Sequence, residues 1–439
     1  MNSLTAARVQ MELSLGFHML FASVGMALPV MLLIVERRWI RARDPDALAL
    51  AKTWSKATAV LFAIGAVSGT ALSFELGLLW PDFMALAGAL IGPAFALEGY
   101  AFFIEAIFLG LYLYGWERLS PRAHWWCGVA VAVSGVASGV LVLAANAWMQ
   151  NPVGYVPSAG GGPASIDPIA VFLNPAWPLM ALHSTLATYQ AVGFAAAGVY
   201  ALALLGGHRP ERLRYHRLGL STAMVLAVLA AIVQPLAGDL LAKRAHRAQP
   251  EKLAAMEGHF ETERCAPLRI GGLPDAEQRV TRYALEIPCA LSVLAGGTTQ
   301  TEVVGLSAFP RSEWPNVAVT HIAFQVMIGA GMAMLAVALW YAWDRFRRRR
   351  RPGSAPRRTM LAAIAACSPL GFIALEAGWV VTEAGRQPWV VYRLLRTADA
   401  VTPVADVSAS LAVFSALYLT LLVILLSFLR VLARGTSAH

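Results

Sequence analysis

The chain has 439 residues, of which 58% are hydrophobic and only 14% charged, with a formal net charge of +9 and a mean hydropathy of +0.58. Soluble domains carry about 25% charged residues, so a water-soluble globule is excluded and a polytopic membrane protein is indicated. The surplus of Lys and Arg needs no nucleic-acid partner, because cytoplasmic loops and anionic lipid account for it.

Nine apolar runs cover roughly residues 12–35, 57–78, 93–115, 125–148, 177–205, 218–241, 316–342, 359–382 and 406–430. Each is near or above the ~20 residues that a helix needs to cross a bilayer. The fold class is therefore all-α, a transmembrane bundle of about nine spans. The segments after spans 1, 3, 5, 7 and 9 hold 22 of the 35 Lys and Arg, including Arg37, Arg38, Arg41, Arg43 and the run Arg347 to Arg351. The positive-inside rule then places the N-terminus outside and the C-terminus in the cytoplasm. No cleavable signal peptide is expected, since the first 18 residues hold a single Arg and no small-residue cleavage site.

In chain order, span 1 carries His18 about six residues in from the outer side, with Arg8 just ahead of it. Lys56 stands at the inner end of span 2. Span 3 holds Glu98 and, two turns further on the same face, Glu105. Ser138 lies in span 4. The outer segment from Asn151 to Pro175 is rich in Gly, Pro and Asn and reads as a surface loop. Span 5 carries His183, and Asp239 stands at the mouth of span 6.

The stretch 243–315 is the one sizeable polar segment, with a helical piece from Pro250 to Arg264 and turn signals at Gly271-Gly272 and Pro274. Its mixed charge and its apolar Leu285, Ile287, Leu291 and Val293 favour an ordered cap. Cys265 and Cys289 both fall in it and can pair or stay as two thiols. Cys127 and Cys367 read as packing residues inside spans. Span 7 holds Met327 and span 8 Glu376. The chain thus divides into helices 1–6 (1–242), an outer cap (243–315) and helices 7–9 (316–439).

Ionisable groups within the bilayer cost several kcal/mol and mark cofactor, proton or substrate paths. Taken singly, His18 or His183 reads as a helix-packing histidine, Met327 as core and each Glu as a helix bridge or proton carrier. Together they cluster in the outer half of the bilayer, Glu105 reaching toward its centre, with the imidazoles and the thioether on separate spans, and imidazole and thioether are haem-iron donors.

A set of segments running almost the whole chain resembles subunit I of the cytochrome bd-type quinol oxidases, in the branch with a short outer loop. These are Phe17-His18-Met19-Leu20-Phe21, Leu97-Glu98-Gly99, Phe102-Phe103-Ile104-Glu105, Gly115-Trp116-Glu117-Arg118, Ala145 to Pro152, Leu182-His183-Ser184, Lys252 to Glu257, Glu376-Ala377-Gly378-Trp379 and Gly385-Arg386-Gln387-Pro388-Trp389.

The resemblance implies a quinol:oxygen oxidoreductase of the bacterial cytoplasmic (inner) membrane, with subunit II as partner and a small single-span accessory subunit as a further one. It implies a low-spin haem b between His183 and Met327. A high-spin haem b and a haem d (or a further haem b) would be surrounded jointly by His18, Glu98 and Glu376. Arg8, Arg386 and Arg393 would meet haem propionates, and Lys252 and Glu257 would bind and deprotonate quinol, with Asp239 secondary. Glu105, with Lys56 and Ser138, would carry protons from the cytoplasm toward O2, building a proton motive force without a pump. Two departures stand out: Gln325 replaces a frequent Arg two residues before Met327, and Phe372 replaces a frequent Trp one turn before Glu376.

Two rivals belong to other classes. A proton-coupled transporter would use Glu98, Glu105 and Glu376 as carriers and show paired broken helices around a midplane site. A haem b protein without O2 chemistry would only move electrons.

Overall fold

The computed structural model describes residues 2–157, 163–207, 212–349, 356–404 and 407–438. Arg350 and Arg351 of the basic run lie outside the described residues. In chain order the helices are α1 (Ser3–Ala42), α2 (Pro45–Leu79), α3 (Pro81–Tyr114), α4 (Pro121–Gln150), α5 (Pro168–Phe172), α6 (Trp177–Leu205), α7 (Leu213–Ala248), α8 (Pro250–Glu257), α9 (Ala290–Gly296), α10 (Val317–Arg349), α11 (Arg358–Cys367), α12 (Leu370–Ala384), α13 (Thr397–Ala400) and α14 (Val407–Ala438). Among the described residues nine helical segments are long and apolar enough to cross a membrane. The expected all-α bundle is therefore what the chain forms.

The ends of these helices follow from local chemistry. Asn2 accepts a hydrogen bond from the Thr5 amide at 2.8 Å and Ser120 from that of Ala123 at 3.3 Å, each satisfying a first-turn donor. Pro45, Pro81, Pro121, Pro168 and Pro250 open their helices, where a missing N–H costs nothing.

The structure refines one expected span and corrects one expected element. The span 359–382 is found over Arg358–Ala384 but as two helices, α11 and α12, interrupted at Ser368 and Pro369, because proline removes a ladder donor and crowds the preceding turn. The helical piece expected from Pro250 to Arg264 stops at Glu257. Gly258 takes a left-handed φ of 60°, the His259 amide bonds back to the Ala254 carbonyl at 2.8 Å, and Glu263–Arg264 is extended.

Lipid gives no hydrophobic drive between helices, so close backbone approach through small residues holds them together. A Cβ on Gly371 of α12 would fall 2.4 Å from the Ala191 Cα of α6, and one on Gly193 would fall 2.9 Å from the Ala227 amide nitrogen of α7. Two buried clusters result. One includes Val35, Leu50, Phe194, Met224 and Met334, and the other Leu79, Phe83, Leu90, Trp148 and Val391 at the end of the bundle that carries segment 243–315.

That segment is ordered. Leu268–Ile270 pairs antiparallel with Leu285–Ile287, and Leu273–Asp275 with Val280–Arg282, around the turn at Gly271 and Gly272. Cys265 and Cys289 form a disulfide beside them. Leu253, Ala266, Leu291, Ala295 and Val303 make a small core of its own, and Ala254, Phe260, Leu306 and Val317 tie it to α10. This is a cap seated on the bundle.

Candidate functional site

A cavity of about 1550 Å³ runs through the bundle beneath the cap. That exceeds the roughly 300–1,000 Å³ of a site for one small ligand. Helices α1, α2, α3, α4, α6, α7, α10 and α12 wall it, with α8 and the Leu268–Gly271 segment of the cap closing one end. His18, Glu98, Glu105, His183, Met327 and Glu376 all belong to this wall or reach it, except that Glu376 stands just beside the lining residues, its carboxylate 3.1 Å from where a Cβ on Gly16 would lie. Arg8, Ser138, Asp239, Lys252, Glu257 and Arg386 line it too.

Glycines make room for the donors. A Cβ on Gly69 would come 2.7 Å from His18 Cε1, one on Gly378 would lie 3.1 Å from Met327 Sδ, and one on Gly238 3.4 Å from His183 Cε1. His18 Nδ1 is 3.1 Å from the Ser68 hydroxyl, and the Gln234 amide nitrogen lies 3.3 Å from His183 Nε2. Ser138 donates to Glu98 at 3.0 Å. One carboxyl oxygen each of Glu105 and Glu376 is sealed from solvent with no hydrogen-bond partner.

Whether a haem fits is a question of donor chemistry. Among the described residues no three His, Cys, Asp or Glu side chains converge as they would around a bare ion. Iron here would take one or two protein donors, as it does when a porphyrin supplies the other four. Imidazoles and a thioether on different helices of one wall, unpartnered carboxyl oxygens and a long apolar cavity meet that requirement. The residues present fit the group.

At the cap end, Lys252 of α8 donates from Nζ to Gln150 Oε1 at 3.1 Å and to the Thr382 carbonyl at 3.2 Å. Burial, with Arg386 adding, pushes its amine down to about 7. Glu257, at the end of the same helix, is pushed by burial up to about 8, against the pull of Arg269, and one of its oxygens has no partner. A buried carboxyl and a buried amine poised near neutrality on one cavity wall are equipped to exchange protons with a ligand. Arg386 is paired with Glu383, whose other oxygen accepts from Asn146 at 2.9 Å.

Not every expected residue comes to the cavity. Lys56 is exposed on α2 and lines no part of it. Arg393 is half-exposed on the outer surface, 3.5 Å from Glu251 and stacked over Tyr392. Asp239 lines the mouth but is paired with Lys243 at 2.6 Å. Sequence reading missed Gln150, Gln234, Ser68, Arg269 and Glu383, which act by holding other side chains. Gln150 alone had a signal, since it lies within the Ala145 to Pro152 segment.

The family model described as "Cytochrome bd terminal oxidase subunit I" matches residues 6–437. The chain belongs to this family. It is 36% identical over 423 residues to the "Putative cytochrome bd menaquinol oxidase subunit I" of Bacillus subtilis (strain 168), covering 96% of this chain and 94% of that one. It is 30% identical over 452 residues to the "Cytochrome bd ubiquinol oxidase subunit 1" of the same organism, covering 100% of this chain and 95% of that one. Among solved structures, the bd oxidase from Geobacillus thermodenitrificans matches with a TM-score of 0.91 at 36% identity, covering 99% of both chains. In this member of the bd family His18, His183 and Met327 share one cavity with Lys252 and Glu257.

Proposed function

We propose that this chain is the haem-bearing catalytic subunit of a terminal quinol oxidase, acting as a quinol:oxygen oxidoreductase. The observation that carries the reading is the single cavity that joins His18, Glu98, His183 and Met327, with Glu376 just beside it, to the buried Lys252 and Glu257 of the cap. His183 and Met327 would hold a low-spin haem b, and His18, Glu98 and Glu376 would surround two further haems, one of them haem d or haem b. When bound, these groups supply the one-electron carriers and the open iron at which O2 is reduced.

The protein's own residues handle binding and protons. A quinol gives up two protons with its two electrons. Glu257 takes one as a general base, and Lys252, fixed by Gln150 and Thr382, orients a quinol oxygen. Two quinols supply the four electrons that turn O2 and four protons into two waters. Glu105, between Gly25 and Gly135, is placed to hold a proton on the way to that site, with Ser138 and Glu98 one step nearer. With the N-terminus outside, as the Lys and Arg distribution argues, quinol protons leave on the cap side and oxygen's protons come from the cytoplasm, separating charge without a pump. Residues 1–242 and 316–439 then form the haem-holding bundle and 243–315 the quinol cap. Arg8 and Arg386 are placed for propionates, the setting is the bacterial inner membrane, and the chain works with subunit II and a small single-span peptide.

The test is a reduced-minus-oxidised visible spectrum of the purified complex together with quinol-driven O2 uptake. The His183→Ala variant is expected to lose the low-spin bands and fall at least ~10²-fold in uptake. A colourless wild-type complex, or unchanged bands in the variant, would sink the reading and favour the transporter.

A further inference from the structure

His321 and Gln325 stand one turn apart on α10 and grip the same strand of the cap. Gln325 accepts from the Gly271 amide at 3.0 Å and donates to the Arg269 carbonyl at 3.0 Å. A primary amide presents a donor and an acceptor side by side, as a peptide edge does. His321 places Nε2 3.0 Å from the Gly271 carbonyl and Nδ1 2.8 Å from the carbonyl of Met256, the residue before Glu257. One face of α10 thereby fixes both the strand Leu268–Ile270 and the end of α8.

The consequence is the placement of Arg269. Its side chain lies on the cavity wall with Glu257, only 15% exposed. Nε pairs with Glu286 at 2.9 Å, and Nη1 lies 3.2 Å from His259 Nδ1 and 3.5 Å from the Gly258 carbonyl. The guanidinium is therefore held on two sides by groups outside the cavity while it lines the same wall as Glu257. The neighbourhood of Glu257 offers few other charges. Lys252 on the same helix is turned to Gln150 and Thr382. His259 sits behind Arg269, where burial and that guanidinium push it down to about 4. His321 of α10 is engaged by two carbonyls, and Arg244 lines the cavity from α7.

We propose that Arg269, anchored through Gln325, is the positioning residue that keeps Glu257 ready to accept the quinol's proton. The inference rests on the reading of Glu257 as the quinol's base and adds the device that tunes it. Its physical basis is Coulombic: a nearby cation favours the ionised carboxylate, the form that can take a proton, against the burial that disfavours it. The sign follows directly. The fraction of Glu257 able to act as base rises with pH through about 8, so kcat/KM for quinol should rise over that range. Removing Arg269 should displace this limb to higher pH.

The experiment measures kcat/KM for quinol from pH 6 to 10 on the purified complex, with the haem spectrum as a check of integrity. Arg269→Ala is expected to lower kcat/KM about tenfold at pH 7 and to recover at high pH, a displacement of about one unit, while Arg269→Lys stays near wild type. Gln325→Leu keeps the guanidinium but frees its strand, and should move the limb in the same direction by less. Should Arg269→Ala not assemble, Gln325→Leu decides alone, and an unmoved limb overturns the proposal. Equal loss at every pH in Arg269→Ala also overturns it. Glu257→Gln separates the two levels. If it retains the limb, the reading of Glu257 itself fails, whereas if it abolishes the limb and Arg269→Ala leaves it in place, only the proposal falls.

Discussion

Carboxyls of the same bundle behave differently, and the contrast separates packing from site. Glu36 of α1 is fully buried, yet both oxygens are used: Oε1 lies 2.6 Å from His124 Nδ1, and the Tyr112 hydroxyl donates to Oε2 at 2.7 Å. His124 closes the circuit with Nε2 2.8 Å from the Tyr112 carbonyl, its ring against Trp116 at 4.1 Å. At the cavity, Glu376 and Glu105 each keep an oxygen sealed from solvent and unpartnered. Buried polar groups in native proteins are almost always satisfied. A carboxyl satisfied within the protein is holding helices together. One left open beside a cavity is waiting for a ligand or a proton.

The largest effect expected from this contrast comes from exchanging the two. Glu36→Ala strands His124 and Tyr112 in the core and should cost about 3–5 kcal/mol, read as a large drop in the thermal denaturation midpoint. In whatever complex still assembles, the haem bands should match wild type. Glu376→Ala should do the reverse, altering the high-spin bands and O2 uptake while leaving the midpoint nearly unchanged. If Glu376→Ala proves as destabilising as Glu36→Ala with its bands intact, the open oxygen is a packing defect and the distinction fails.

Glu105 sharpens the same point with a smaller effect. It is a proton carrier rather than an iron donor on this reading, so Glu105→Leu should keep the full spectrum. Steady-state O2 uptake should drop by up to ~10²-fold, the range typical of a lost proton-transfer group. Unchanged turnover would reject that role for it.

How far the sequence reaches depends on what kind of interaction places a residue. The spans, and the candidate donors His18, His183 and Glu376, are legible because hydrocarbon rejects polar groups and each survivor stands out, whereas Met327 reads as core until the family resemblance singles it out. The Cys265–Cys289 pair stayed open, since two cysteines in one loop do not report their distance; the fold closes it. Lys56 shows a related limit, because helical phase alone does not say which face meets the cavity, and its side chain is exposed and apart from the lining. The break at Ser368 and Pro369 was hidden inside an apolar run that hydropathy reads as continuous. Arg269 and Gln325 were illegible as a pair, since their connection exists only once 56 residues of chain have folded back onto α10.

Asp239 gives the smallest expected effect. It lines the mouth of the cavity, which alone would recommend it for the quinol site. Its carboxylate is nonetheless engaged by Lys243 at 2.6 Å one turn along α7, with both side chains about one-third exposed. A partly solvated i,i+4 pair contributes about 0.3–0.5 kcal/mol. Asp239→Asn should therefore shift the denaturation midpoint by less than 2 °C and change KM for quinol less than about threefold, a change worth under 1 kcal/mol. A tenfold rise in KM at constant kcat would show that a satisfied carboxylate can still serve the ligand, and the line drawn between Glu36 and Glu376 would have to be redrawn around solvent access instead of hydrogen-bond satisfaction.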